Sequence, residues 1–363
     1  MKRASLLFLL LALVPPGAAS AAACSPLNCA PSQFVLAHGS LLAVRGAPDK
    51  PLRVIDLRTG RTRWWLPPGI VTGNTLVHQD GPLLTWLDAA RGTRVADALL
   101  QAYGAFALVG TSQDAKRAVL ARTQHRSTTF AIVSPAAERI VKLGGSNWQF
   151  DALNGRYLFL IQSLRDGYEV RLYDLATNRL QRQPLKDPNE SALIQGVPFA
   201  RASSPNGRYL FTLYLGSDGS AMIHELDTAA GFAYCVDLPG TGDFNAAATW
   251  AIAPSADNGT LWAVSVGYGR LVAIDVAAHA VREHASFRPP VWIANPGVAA
   301  LAPDGTRLAV TDAQHTWFVS LRKLAVRRGP SHVAIALAFS ADGRRVFGVG
   351  ERSRVFALDA LTQ

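Results

Sequence analysis

The feature that most constrains this chain is an internal repeat. Residues Ala336 to Ala360, ALAFSADGRRVFGVGERSRVFALDA, read as three short strands in a meander, and the pattern recurs along the sequence. Ala336 to Ser340 is an apolar run, Ser340 to Gly343 a tight turn, Arg345 to Val349 the returning strand, and Arg354 to Leu358 a third strand that ends at Asp359. Such a turn needs a positive φ at one position, which Gly343 supplies without steric cost. Two anchors mark the copies. The first is a glycine turn between the first two strands, in Asn154-Gly155-Arg156, Ser204-Pro205-Asn206-Gly207-Arg208, Ala256-Asp257-Asn258-Gly259, Ala302-Pro303-Asp304-Gly305 and Ala341-Asp342-Gly343-Arg344. The second is a small polar residue that closes the third strand: Asp56, Asp88, Ser134, Asp174, Asp227, Asp275, Ser320 and Asp359.

These eight closing positions are 32, 46, 40, 53, 48, 45 and 39 residues apart, the period of a four-stranded propeller blade. The apolar runs are short and end at Gly, Pro, Asn or Asp, which excludes a helical solenoid with its i, i+3, i+4, i+7 periodicity. Continuous apolar strands such as Tyr209 to Leu215 suit sheets packed on both faces, as blades are. The prediction is an all-β propeller of four-stranded blades, eight in number, or seven if one compact early unit is not a blade. The last copy stops at Gln363 without a fourth strand, so Asn28 to His38 is expected to complete the final blade and remove its open edge.

The Ser/Ala-Pro-Asp-Gly-Arg turns, together with the Ile-Asp-Leu-x-Thr-Gly turn at Ile55 to Gly60, resemble the YVTN and TolB-type branch of WD-like bacterial propellers over residues 34 to 361. That resemblance implies the fold and leaves function open, because the motifs are structural turns. Asp56 to Trp64 is also similar to the Asp-x-x-Thr-Gly-x-x-x-Trp docking motif of quinoprotein dehydrogenases, in which Trp locks adjacent blades together. The other units lack it and the vicinal cysteines of that family are absent, so no cofactor is read from it.

The chain begins as an export signal. Met1-Lys2-Arg3 is basic, Leu6 to Val14 is apolar, Pro15-Pro16-Gly17 breaks a helix, and Ala18 to Ala23 suits a signal peptidase. The expected division is a signal peptide at 1–23, an N-terminal segment at 24–33 and the propeller at 34–363, in a periplasmic, cell-surface or secreted setting. Cleavage after Ala23 leaves Cys24 first, a lipidation candidate, although Ala21 stands where a lipobox usually has Leu. Apart from such a lipid, no stretch is long and apolar enough to reach into a membrane. An exported compartment permits a disulfide: Cys29 with Cys235, or Cys24 with Cys29 in competition.

Losing Lys2 and Arg3 lowers the formal charge from +10 to +8, since residues 1 to 23 hold no acid. The arginines are spread singly through the repeats, so no clustered footprint for nucleic acid exists. Anionic envelope polymers fit an exported basic surface better.

The inner strands, such as Phe106 to Val109 and Trp250 to Ile252, are nearly devoid of acids and histidines, with Asp151 and His38 too few to build the oxygen-ligand metal site of a propeller lactonase. No Gly-x-Ser-x-Gly, His-Glu-x-x-His, phosphate loop or Cys-x-x-Cys is present. Candidate binding residues therefore lie on loops between strands two and three: His78 and Asp80, His125, Arg165 and Asp166, Asp218, Tyr268 and Arg270, His315, and Arg352. Histidines converging at a channel mouth could act on a metal or as bases. Trp148, Trp292 and Arg288 read as further surface anchors. The expectation is a non-catalytic, exported binding or scaffold protein that meets a protein or an anionic polymer, with a metal-dependent hydrolase or quinoprotein-like oxidoreductase as the alternative.

Overall fold

The computed structural model describes residues 33–36, 40–45, 49–188, 191–288, 298–311, 315–331, 334, 336–350 and 355–360. Eight antiparallel sheets follow one another along the chain, each a meander whose strands pair in sequence order. Seven have four strands. The eighth has three among the described residues, Ala336–Phe339, Arg345–Val349 and Val355–Asp359. First strands of successive sheets lie against one another around a central axis, which makes them the blades of a propeller. We number the blades 1 to 8 in chain order.

The local chemistry of the repeat explains the regularity. All eight predicted closing residues are the last residue of the third strand of their blade. Asp56, Asp88, Asp174, Asp227 and Asp275 each use Oδ1 to accept the backbone N–H groups two and three residues ahead. The side chain thus mimics a turn carbonyl and forces the chain over into the fourth strand. Ser134 does the same with one bond, from Ala137 N–H to Oγ. At the other anchor, Ser204, Ser255 and Ser340 donate Oγ–H to the Asn or Asp two residues on and accept the N–H five residues on. Gly207 and Gly343 take the positive φ there, but in blade 6 Asn258 takes it in place of Gly259.

Packing closes the ring. Among the described residues, eight buried apolar clusters occur, each shared by two neighbouring blades, and the cluster of Leu42, Val44, Ile55 and Leu57 with Ala336, Ala338, Phe347 and Val349 joins blade 1 to blade 8. The sequence expectation for closure is corrected here. Gln33–Leu36 is the inner strand of blade 1, paired with Leu41–Val44, and not the outer strand of blade 8. The remainder of that segment, Asn28 to Ser32 and Ala37 to Gly39, lies outside the described residues.

Inner strands of blades 3, 4 and 5 each carry a β-bulge, where the register steps over Val109, Asp151 and Phe199. A bulge re-aims the side chain it carries. For Asp151 the consequence is a contact with the next blade.

Candidate functional site

The predicted loop residues fall on six blades and mostly stay apart. His78 sits inside strand two of blade 2 (Thr75–Asp80), with Nδ1 2.7 Å from Pro68 O, and Asp80 ends that strand in solvent. Its neighbour Gln79 is an interblade tie: Nε2 donates to Phe106 O and Oε1 accepts Leu108 N–H. His125 occupies an exposed two-residue turn in blade 3 at φ 45°. His315 is buried in blade 7, where Nε2 accepts from Arg328 at 2.5 Å. The three imidazoles do not converge. Among the described residues, no group of three or more His, Cys, Asp or Glu could hold a metal.

Arg165 and Asp166 form an exposed turn on blade 4, Arg270 begins a strand of blade 6 and donates to Ser286 Oγ, and Arg352 lies outside the described residues. Trp148 corrects the surface reading, since it is buried on the inner strand of blade 4 and donates Nε1–H to Gly144 O. Arg288 is exposed and Trp292 is not described. Cys24 and Cys29 also lie outside the described residues. Cys235 is half-buried on the outer strand of blade 5, with its N–H donated to Asp187 Oδ2.

One pair of predicted loops is brought together, at blades 5 and 6. Tyr268 Oη donates toward Gly219 O and Asp243 O, both at 2.7 Å. Gly242 N–H reaches Asp218 O, and Asp243 caps a single helical turn, Phe244–Ala247, through Oδ1. Gly219 is required at this crossing: its φ is +80°, and an added Cβ would lie 2.5 Å from Asp243 N. These bonds fasten the Gly216-to-Ser220 turn to the connection between blades 5 and 6. A rigid platform results.

Beside that platform opens a pocket of about 650 Å³. Its other wall is the long connection from blade 4 to blade 5. The outer strand of blade 4 is only two residues, Arg179–Leu180, and the chain returns to pair Leu185 with Val170 and Ile194 with Tyr168. Ile194 and Gln195 then face Asp218, Ser220, Tyr214, Met222, Cys235 and Asp237 across the opening. Asp218 is held below the usual carboxylate range by the Ser220 hydroxyl and N–H, so the rim carries negative charge on a basic molecule. Leu193, Ile194, Tyr214 and Met222 line the pocket together with Ser191, Ser217 and Ser220, so the lining is mixed.

A polar row continues below it. Arg201, Thr212, His224 and Cys235 stand opposite one another across the four strands of blade 5, on the face turned to blade 4. Arg201 donates to Asp151 Oδ1 at 2.5 Å, and both side chains are nearly buried. This ion pair borders a channel cavity of about 330 Å³ lined by Phe34, Ile70, Val109 and Phe150. Among the residues lining the cavity, Asp151 is the one acid and no histidine occurs, but Thr72, Thr111, Gln113 and Ser203 add uncharged polar groups beside the ion pair. His224 is fully enclosed, and burial pushes its pKa down to about 4 against the pull of Asp151. It is neutral at pH 7, and its Nε2 has no hydrogen-bond partner among the described residues.

Sequence reasoning missed a larger opening on the opposite face, where the turns between strands one and two and between three and four lie. A groove of about 840 Å³ crosses from blade 8 over blade 1 to Ala90 of blade 2. Arg58, Arg63, Arg344 and Arg345 line it, with Asp56, Asp342 and the Trp64 indole. Trp64 does what the docking motif implies: Nε1–H points to Ala89 O of blade 2, and the ring covers Gly92.

No protein-family model matches the chain, and no curated protein matches it. Solved structures do. Apo AztD from Citrobacter koseri aligns with a TM-score of 0.55 at 13% identity, covering 83% of this chain and 86% of that one. The propeller of Dos1 aligns with a TM-score of 0.51 at 10% identity, covering 91% and 94%. At such identities the likeness shows a shared fold.

Proposed function

We propose that the protein is an exported propeller that binds a protein partner through its loop face, as a recognition or scaffold element. The observation that carries the reading is the pocket between blades 4 and 5, bounded by Asp218 and Asp237 and braced by the Tyr268 hydrogen bonds. A pre-formed cleft that sets apolar side chains such as Ile194 and Met222 beside fixed polar groups is what recognition needs. Two carboxylates at its rim suit a basic side chain of the partner. Met1 to Ala23 supports export, and Cys24 is a lipid attachment point in this reading. The glycine turns and the Asp-closed third strands support placing the blades in the YVTN and TolB-type branch.

The test is site-specific photo-crosslinking in the exporting cell, with the probe at Gln195 on the pocket and at Lys116 on the opposite face. A discrete adduct is expected from position 195, lost when Asp218→Lys and Asp237→Lys are combined. An adduct from both faces alike, or one indifferent to the charge reversal, would overturn the proposal. Fractionation of the chain with and without residues 1–23 tests export, since the truncated form should stay in the cytoplasm.

A further inference from the structure

The groove on the turn face carries an inference independent of the loop-face reading. Its charges do not cancel. Asp56 is consumed locally, with Oδ1 on the N–H groups of Arg58 and Thr59 and Oδ2 on the Arg63 guanidinium. Asp342 Oδ1 accepts Ser340 Oγ–H and Arg344 N–H. The side chains of Arg58, Arg344 and Arg345 are exposed; the Arg344 and Arg345 charges reach Asp342, which the Ser340 hydroxyl and the Arg344 N–H already engage. Three guanidiniums against the single charge of Asp342 leave the groove positive.

Arg344 departs from its own repeat. In blades 4 and 5 the arginine after the turn glycine folds back on the aspartate that closes strand three: Arg156 on Asp174, and Arg208 on Asp227. Arg344 follows Gly343 in the same way, yet its guanidinium lines the groove. Beneath the three arginines, Leu41, Leu57 and the edge of Trp64 give the groove an apolar bed. Planar guanidiniums pair carboxylates through two parallel bonds, and aromatic and aliphatic surface accepts the flat faces of sugar rings.

We propose that this groove binds a linear acidic oligosaccharide, with Arg58, Arg344 and Arg345 pairing carboxylates on successive rings and Trp64 contacting a ring face. The long, open shape across three blades fits a chain better than a compact ion. At an exposed site such pairing is weakened by salt.

Titration calorimetry of the purified protein against a uronate hexasaccharide tests this, with polyphosphate and a single-stranded DNA oligomer as competing probes. The uronate should bind, more weakly as salt is raised, and Arg344→Ala or Arg58→Ala should each weaken it roughly tenfold, the usual loss for one charge-assisted hydrogen bond. Lys323→Glu, on the same face in blade 7, should leave binding unchanged. Because the arginine side chains are exposed and their attraction to Asp342 is screened by solvent, the variants should melt close to the wild type. No uronate binding, equal or tighter binding of polyphosphate or DNA, or equal loss in Lys323→Glu would overturn the proposal.

Discussion

Replacing Glu225 by Gln should stabilise the protein more as the pH rises from 5 to 7. Glu225 lies on the third strand of blade 5, facing blade 6, with 0% of its surface exposed. Oε1 is 3.2 Å from His279 Nδ1, and Oε2 has no hydrogen-bond partner among the described residues. Burial first, and then the charge of Asp227, push its pKa from 4.5 up to about 8, while Arg208 pulls the other way. His279, stacked on Tyr234, is held below its ordinary value by burial. At neutral pH the pair is therefore a carboxylic acid facing a neutral imidazole. In the unfolded chain the carboxyl ionises near 4.5, so its contribution is fully present below that pH and is lost as pH climbs toward 8. Each pH unit inside the window costs about 1.4 kcal/mol, and the loss between pH 5 and 7 is about 2.5 kcal/mol. His224 works in the opposite direction between 4 and 6.5, because the unfolded imidazole protonates there and the buried one does not. Comparing wild type with Glu225→Gln at each pH cancels that term. Urea unfolding followed by tryptophan fluorescence should show the variant gaining about 2.5 kcal/mol on the wild type between pH 5 and 7, levelling off above 8. A constant gap would refute the reasoning by showing that the carboxyl keeps its ordinary pKa. A shrinking gap would show that His279 stabilises it as an anion.

Three further outcomes follow from the packing. Arg201→Met strands the Asp151 carboxylate in the blade 4–5 seam and should cost about 3–5 kcal/mol, whereas adding Asp151→Asn should recover much of it, as read from urea midpoints. Gly110→Ala places a Cβ 1.9 Å from the Phe150 ring and should cost about 1–3 kcal/mol, relieved by Phe150→Leu in the same chain. Exhaustive chelation should leave the melting temperature unchanged; stoichiometric metal by elemental mass spectrometry, with a fall on its removal, would favour the hydrolase alternative.

The fold was legible because its repeat is made of local chemistry. An Asp that accepts the N–H groups two and three residues ahead, as at five of the eight strand ends, carries its partners within three residues, and the period then places the remaining ends. Closure could not be placed, because nothing local distinguishes an inner strand from an outer one. Gln33–Leu36 is told from a fourth strand only by its pairing with Leu41–Val44. The inner strand of blade 4 was misread for a related reason: Trp148 follows Gly144 to Asn147, polar residues that look like a loop, while its ring packs against blade 3.

The sites were less legible because each depends on where a copy departs from the repeat. Arg156, Arg208 and Arg344 share the Gly-Arg signature, yet two tether an aspartate and the third faces an open groove. Likewise the loop-face pocket exists because the outer strand of blade 4 is two residues long and its connection returns at Leu185 and Ile194. A regular blade spends its turn residues on its own hairpins, as the bonds of Asp88, Ser134 and Asp275 show. Side chains that a regular copy would engage become available to a ligand only where that geometry is broken. In a propeller of this kind, binding residues are therefore to be sought where a copy departs from the repeat, here at blades 4 and 8.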